Sequence, residues 1–296
     1  MNTTKANLHG VAAILMWSTL IALVRSVSQA FGVAGGTALI FTAGAIVLCL
    51  RQGFPNIRNM HPLYVWGCGA AFVLYEILMS QSIGLATSSS QTLEVGMINY
   101  LWPCAIVIIS IWINKERVHW WVWMGIALSL AGITLCITAN SDVDLAGFVE
   151  NIMATPLPYG MAFIAAILWG FYCNLSRKYG EGQNAVPFFF IVIATALWVR
   201  FFITGSELNS PDWTAWAELA YIGVIFALSY ACWETGIQKG NIILLAAISY
   251  FTPVFSMLFM CAWLKTVPRT GFWIGVAFVV AGSLVCWTAT RKSGAG

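Results

Sequence analysis

The sequence predicts an all-α membrane protein with ten transmembrane helices, arranged as two inverted five-helix repeats around a central cavity. Three observations predict it. Charged residues make up only 8% of the 296, against about 25% in soluble domains. Hydrophobic residues make up 60% and the mean hydropathy is +0.82, more apolar surface than a soluble core of this size can hide. The second half of the chain also repeats features of the first at a fixed offset. The composition excludes a soluble enzyme and a disordered chain. The net charge of +3 is too small and scattered to track phosphates, so no nucleic acid partner is expected.

A helix crosses the hydrocarbon core in about 20 apolar residues. Ten stretches qualify, near 8–25, 33–50, 63–86, 88–113, 120–139, 158–177, 187–203, 213–236, 242–263 and 268–290. The first ends at Arg25; with no small-residue cleavage site after it, it reads as a retained helix rather than a signal peptide. Charges and turn formers close the others: Arg51 to Arg58 with Pro55, the Thr87–Ser90 run, Lys115 to Arg117, the stretch around Asp142, Asp144 and Glu150, Lys178 to Gln183, Ser206 to Pro211, and Lys239-Gly240. The runs are continuous rather than alternating, which favours helices over a spanning β-barrel. The organisation expected is a first repeat over 1–139, a periplasmic loop over 140–157, a second repeat over 158–290 and a cytoplasmic tail over 291–296.

Basic residues set the orientation. With the N-terminus inside, Lys5, Arg51, Arg58, Lys115, Arg117, Arg177, Lys178, Lys239, Arg291 and Lys292 face the cytoplasm, while Arg25, Arg200, Lys265 and Arg269 face out. Both termini are expected to be cytoplasmic, in a bacterial inner membrane. The eight cysteines all fall within spans and form no Cys-x-x-Cys pair, so they read as small packing residues, with no disulfide framework and no metal site.

Shifting the chain by 150 aligns 98–138 with 248–288 without a gap. Matches include Tyr100/Tyr250, Pro103/Pro253, Lys115/Lys265, Trp123/Trp273, Gly125/Gly275, Gly132/Gly282 and Cys136/Cys286. A shift of 152 pairs Trp17 with Trp169. Five spans per half put the second half in upside down, and Lys115 and Lys265 fall on opposite faces as inversion requires. Inverted repeats give one scaffold two nearly equivalent states, a transporter architecture.

Ionisable residues at membrane depth are functional candidates. Glu76 lies mid-way along the third span, with Met79 and Ser80 beside it. It reads either as a hydrogen-bonded structural carboxyl or as a group that binds a substrate amine or couples protons. Glu94 and Glu234 lie nearer span ends. Gln91, Glu94, Val95, Ile98, Asn99 and Trp102 share a helical face, and Asn241 and Ser249 occupy the places of Gln91 and Asn99 in the other half. That face suits a polar lining or interhelical hydrogen bonding. Pro103 and Pro253 kink their spans, as hinges for gating or as static bends. Trp17, Tyr75, Trp102, Trp169, Tyr172 and Tyr250 are candidates for an aromatic cavity wall, against the alternative of core packing. No Gly-x-Ser-x-Gly, His-Glu-x-x-His or Walker loop occurs, so no catalytic residue is assigned, the chain does not read as an enzyme, and no cofactor is expected.

Ten spans in two inverted halves, with Trp17 and Trp169 in the first span of each half and Pro103 and Pro253 in the fourth, resemble the drug/metabolite transporter superfamily. The segment from Gln91 to Pro103 is similar, more narrowly, to aromatic amino acid exporters of bacterial inner membranes. The resemblance implies export of amino acids, aromatic ones among them, from a cavity between the repeats. It marks Glu94, Asn99, Tyr100, Trp102 and Pro103 as family-typical positions. The resulting expectation is an alternating-access exporter with Trp17, Tyr75, Met79, Trp102, Trp169 and Tyr172 as apolar wall. Glu76, Ser80, Asn99, Ser249 and Tyr250 would be the polar contacts. Partners expected are amino acid substrates, the lipid bilayer and protons as a candidate coupling ion, with the protein a monomer or weak dimer. Broad drug or metabolite export is the alternative, followed by a membrane enzyme or a scaffold. Nucleotide sugars fit less well, because no span centre carries a Lys/Arg cluster for phosphates.

Overall fold

A computed structural model of the chain describes residues 2–139, 145–209, 211–263, 267 and 270–291. Asp142, Asp144, Lys265, Arg269 and Lys292 lie outside the described residues, as do the side chains of Arg25 and Cys261. Among the described residues there are helices and no strands. In chain order they are α1 (Thr3–Phe31), α2 (Val33–Gln52), α3 (Gly69–Leu85), α4 (Ser89–Asn99), α5 (Trp102–Ile113), α6 (Val122–Thr138), α7 (Leu145–Ala154), α8 (Pro156–Tyr179), α9 (Val186–Ile203), α10 (Trp213–Lys239), α11 (Ile242–Ser249), α12 (Thr252–Trp263) and α13 (Thr270–Arg291). A wider-wound segment, Leu63–Cys68, runs into α3 without a break. Eight stretches, counting α4–α5 and α11–α12 as one each, are long and apolar enough to cross a membrane, and α6 is a shorter apolar helix. α1 is 29 residues long.

Local chemistry sets the helix ends. Asn2, Ser88, Asp212 and Asn241 are N-caps whose side chains accept first-turn N–H groups. Gln91 reaches back from the first turn of α4 to accept from Thr87 N at 2.7 Å, close to a capping box. Proline opens α5, α8 and α9, where its missing N–H costs nothing. Gly32, at φ 86°, is the whole connection between α1 and α2.

The helices pair. α6 lies along α13, α1 along α10, α3 along α8 and α2 along α9; α5 also packs on α8, and α12 on α1. Glycine sets the tightest of these contacts. A Cβ on Gly132 would stand 2.7 Å from Gly275 O, one on Gly275 2.6 Å from Gly132 O, and Gly125 and Gly282 block each other in the same way. Such backbone approach is how helices associate where lipid replaces water. Apolar side chains point outward along the helices, among them Ile46, Leu74, Val199 and Leu284, and exposed Trp66, Trp112, Trp120 and Trp213 sit at helix ends. That is the outside of a multi-pass membrane protein with interfacial aromatic belts.

Two features differ from the sequence reading. The stretch 140–157, expected as a loop, carries α7, whose Phe148 and Ile152, four apart, pack with Val95, Tyr159 and Ala162. The kinks expected at Pro103 and Pro253 take the form of a tightened turn that divides each span into two helices. The Leu101 and Phe251 N–H groups bond three residues back, to Ile98 and Ile248, and each proline then lies at the start of a new helix. Without an N–H and with a ring crowding the carbonyl one turn earlier, each proline forces the turn before it to tighten.

Candidate functional site

Both interruptions open onto one cavity of about 180 Å³. Trp17 of α1, Tyr75 of α3, Trp102 of α5, Trp169 of α8 and Tyr230 of α10 form its aromatic wall, with Tyr100 at the first break. Asn99, the last residue of α4, and Thr252, the first of α12, complete the lining. The rings hold one another edge to face: Trp17 to Tyr230 at 5.4 Å and to Trp169 at 6.1 Å, Trp102 to Trp169 at 6.3 Å. Tyr75 lies tilted on Trp169 at 4.8 Å. A second layer of Phe72, Tyr172 and Trp233 backs the wall, with Trp233 5.1 Å from Trp17 and 5.7 Å from Trp102. Such pairs rigidify a pocket beyond their buried area. Three polar atoms of the lining are buried without a partner: Trp17 Nε1, Asn99 Oδ1 and Thr252 Oγ1.

The three deep carboxylates differ in their surroundings. The Tyr230 hydroxyl donates to Glu76 Oε1 at 2.8 Å, so Glu76 stands one hydrogen bond behind the wall. Glu234 is saturated. It accepts from Tyr64 OH at 2.6 Å, Tyr172 OH at 2.5 Å, Ser176 Oγ at 2.5 Å and Gln238 Nε2 at 2.6 Å. This network ties the start of α3, the end of α8 and the end of α10 at the same end of the bundle as the N-terminus of α1. Arg177 adds to it, bridging Glu116 at 3.0 Å and donating to Gly240 O at 2.6 Å. Glu94 sits at the opposite end and accepts from Asn151 of α7 at 3.0 Å and from the Tyr159 hydroxyl. Gln91 there donates to Thr155 Oγ1 at 2.5 Å.

Of the residues singled out in the sequence, Trp17, Tyr75, Asn99, Tyr100, Trp102 and Trp169 meet at the cavity. The others do not line it. Met79 packs with Val95, Tyr159 and Ala162, and Ser80 is half-buried on α3. Tyr172 is fully buried behind the wall. Ser249 is buried and donates to Ala246 O of its own helix at 2.6 Å. Tyr250 is buried between α6, α12 and α13, against Ile133, Val254 and Phe272. Pro103 and Pro253 flank the two breaks. Tyr230 and Thr252 line the cavity without having been singled out. Phe226, Tyr230, Trp233 and Ile237 fall at helical spacing on α10, and Thr252 is the offset-150 counterpart of Trp102.

The EamA-like transporter family model matches residues 4–138 and 157–288, one segment in each half. The chain is 35% identical over 292 residues to the aromatic amino acid exporter YddG of Escherichia coli (strain K12) and 34% identical to that of Salmonella typhimurium, covering 99% of this chain and 100% of each relative. A protein of the same description from Ancylobacter novellus is 28% identical, with 99% and 100% covered. A solved structure superposes at a TM-score of 0.81 with 26% identity, covering 97% of this chain and 99% of that one. With the family match spanning both halves and the relatives aligned end to end, the chain belongs to the EamA-like transporter family of the drug/metabolite transporter superfamily.

Proposed function

We propose that the protein exports aromatic and other apolar amino acids across a bacterial inner membrane by alternating access. The observation that carries this reading is the cavity itself: aromatic rings from five helices surround it, polar atoms without partners interrupt the wall, and it sits where two spans break. Apolar faces suit an aromatic or aliphatic side chain, and the free polar atoms suit the head group. The relatives described as aromatic amino acid exporters support the same substrate class.

Ten crossings in two inverted halves account for the helix pairing. α1 on α10 corresponds to α8 on α3, and α5 on α8 to α12 on α1, while α6 on α13 maps onto itself. The α6–α13 contact is reciprocal in detail: Cys136 Sγ approaches Phe272 O and Cys286 Sγ approaches Val122 O, each at 3.6 Å. Arg177 bonds to Glu116 and Gly240 O, and Asn241 N–H bonds to Asn7, so the ends carrying Lys5, Lys115, Arg177 and Lys239 lie together, which favours a cytoplasmic placement for that end.

The test is efflux from liposomes preloaded with labelled phenylalanine, tryptophan, leucine or glycine. Phenylalanine and tryptophan efflux well above that of empty liposomes is expected, with glycine lower. Efflux equal to empty liposomes for all four refutes the reading; efflux of organic cations alone would favour a drug exporter working through Glu76.

A further inference from the structure

The cavity wall is aromatic, yet three of its polar atoms are buried and unpaired, and they come from three different elements. Thr252 is 8% exposed, and its Oγ1 has no partner. Trp17 Nε1 can only donate, and Asn99 Oδ1 can only accept. A buried polar group left unmatched is costly, and three around one cavity call for a ligand that carries the complementary groups.

We infer that this cavity reads both charged groups of an α-amino acid, with Thr252 Oγ1 and Trp17 Nε1 holding the carboxylate and Asn99 Oδ1 holding the ammonium. The inference rests on the exporter reading and deepens it. Helix ends point the same way. Thr252 opens α12, at the positive end of that helix's dipole. Asn99 closes α4, at the negative end of that helix's dipole, although the Gly96, Met97 and Ile98 carbonyls there already accept from the Tyr100 and Leu101 N–H groups. Interrupted membrane helices present such ends to charged groups. The position of Thr252 is also held: Ser18 Oγ donates to Thr252 O at 3.3 Å and to Ile14 O at 2.8 Å, which fixes the α12 start beside Trp17 on α1.

The offset-150 register adds a reason for the asymmetry. Where the first half carries Trp102, the second carries Thr252, and both side chains line the cavity. One half therefore gives a ring for the substrate side chain and the other a hydroxyl for its head group. A substrate that lacks either charge leaves one end unmatched.

The experiment measures phenylalanine transport by the full chain in proteoliposomes, with phenethylamine (no carboxylate) and 3-phenylpropionate (no ammonium) as competitors. Thr252→Val is expected to raise the KM for phenylalanine about tenfold, the loss of one hydrogen bond to a charged group, and to leave inhibition by phenethylamine unchanged. Thr252→Ser, which keeps the hydroxyl, should retain a KM near that of the parent, and this separates the hydroxyl from packing. Asn99→Leu should raise the KM for phenylalanine and leave inhibition by 3-phenylpropionate unchanged. An unchanged phenylalanine KM in Thr252→Val, or an equal loss for phenethylamine, overturns the assignment while the exporter reading stands. No phenylalanine transport by the parent protein overturns the exporter reading and the assignment with it.

Discussion

At the scale of single residues, the three deep carboxylates separate by how many partners each has. Glu234 accepts from four donors on α8, α10 and the segment leading into α3, so its carboxyl oxygens are matched in place and it acts as a tie. Glu234→Leu leaves those donors buried and unmatched, and about 3 kcal/mol of stability or more should be lost. Tyr64→Phe removes one donor and should cost about 1–2 kcal/mol. Thermal unfolding in detergent checks both, with the Leu variant melting lowest. Glu76 accepts from the Tyr230 hydroxyl, a group on a residue that itself touches the cavity, and it remains the candidate for coupling. If Glu76 relays protons, Glu76→Gln removes the dependence of transport on a pH gradient; an unchanged dependence makes it structural. The sequence brought out the charge of these residues but not their partners. Tyr64, 170 positions from Glu234, is invisible to any local pattern. Thr252 was legible only through the repeat, as the counterpart of Trp102.

At the scale of helices, the two interruptions and the glycine contacts decide what can move. The prolines were readable as irregularities. That each span divides at a tightened turn follows from the three-residue hydrogen bonds at Leu101 and Phe251, which depend on how the following helices are seated. α7 was obscured because its 10 residues are too short to span and because Asp142, Asp144, Glu150 and Asn151 punctuate the stretch. The α6–α13 pair is the opposite case, since its glycines stand out in the sequence as matched positions of the repeat. Gly132→Val places a branched side chain 2.7 Å from Gly275 O and Val279 N, both backbone atoms that cannot rotate away. About 3 kcal/mol should be lost, whereas Gly84→Ala, with nothing within 4 Å, should be neutral or slightly stabilising. A melting comparison in one detergent decides it. The α10 cap gives a pH signature. The Thr214 hydroxyl and Ala215 N–H hold the Asp212 carboxyl below the usual carboxylate range. Its stabilisation is complete above the ordinary carboxylate pKa and fades as pH falls through the lowered one. Asp212→Ala should therefore lower stability at neutral pH and flatten the acid limb of the stability–pH curve.

At the scale of the whole molecule, the departures from two-fold symmetry carry the information about transport. Under the proposed inversion, α2 on α10 is the counterpart of α9 on α3. In this structure α2 packs closely along α10, where a Cβ on Gly44 would stand 3.8 Å from Gly223 O and one on Gly223 2.6 Å from Ala43. α3 and α9 touch more sparingly, through Gly69 against Phe189 and through Arg200 Nη2 donating to Gln81 Oε1 at 3.2 Å. The end held by Glu234 and Arg177 is densely buried, while α3 beyond Phe72 is largely half-buried. Under alternating access the unequal pairs exchange roles: the opposite state closes α3 on α9 and loosens α2 from α10. Spin labels on lipid-facing positions can read this without entering the cavity. Ile46 and Val224 report α2–α10, and Leu74 and Val199 report α3–α9, all four exposed. Each pair should give two distances, and conditions that lengthen the first should shorten the second. The balance should shift when saturating phenylalanine is added, by the ratio of its affinities for the two states. A single distance in both pairs, unmoved by phenylalanine in protein that transports it, would rule out this exchange as the transport motion.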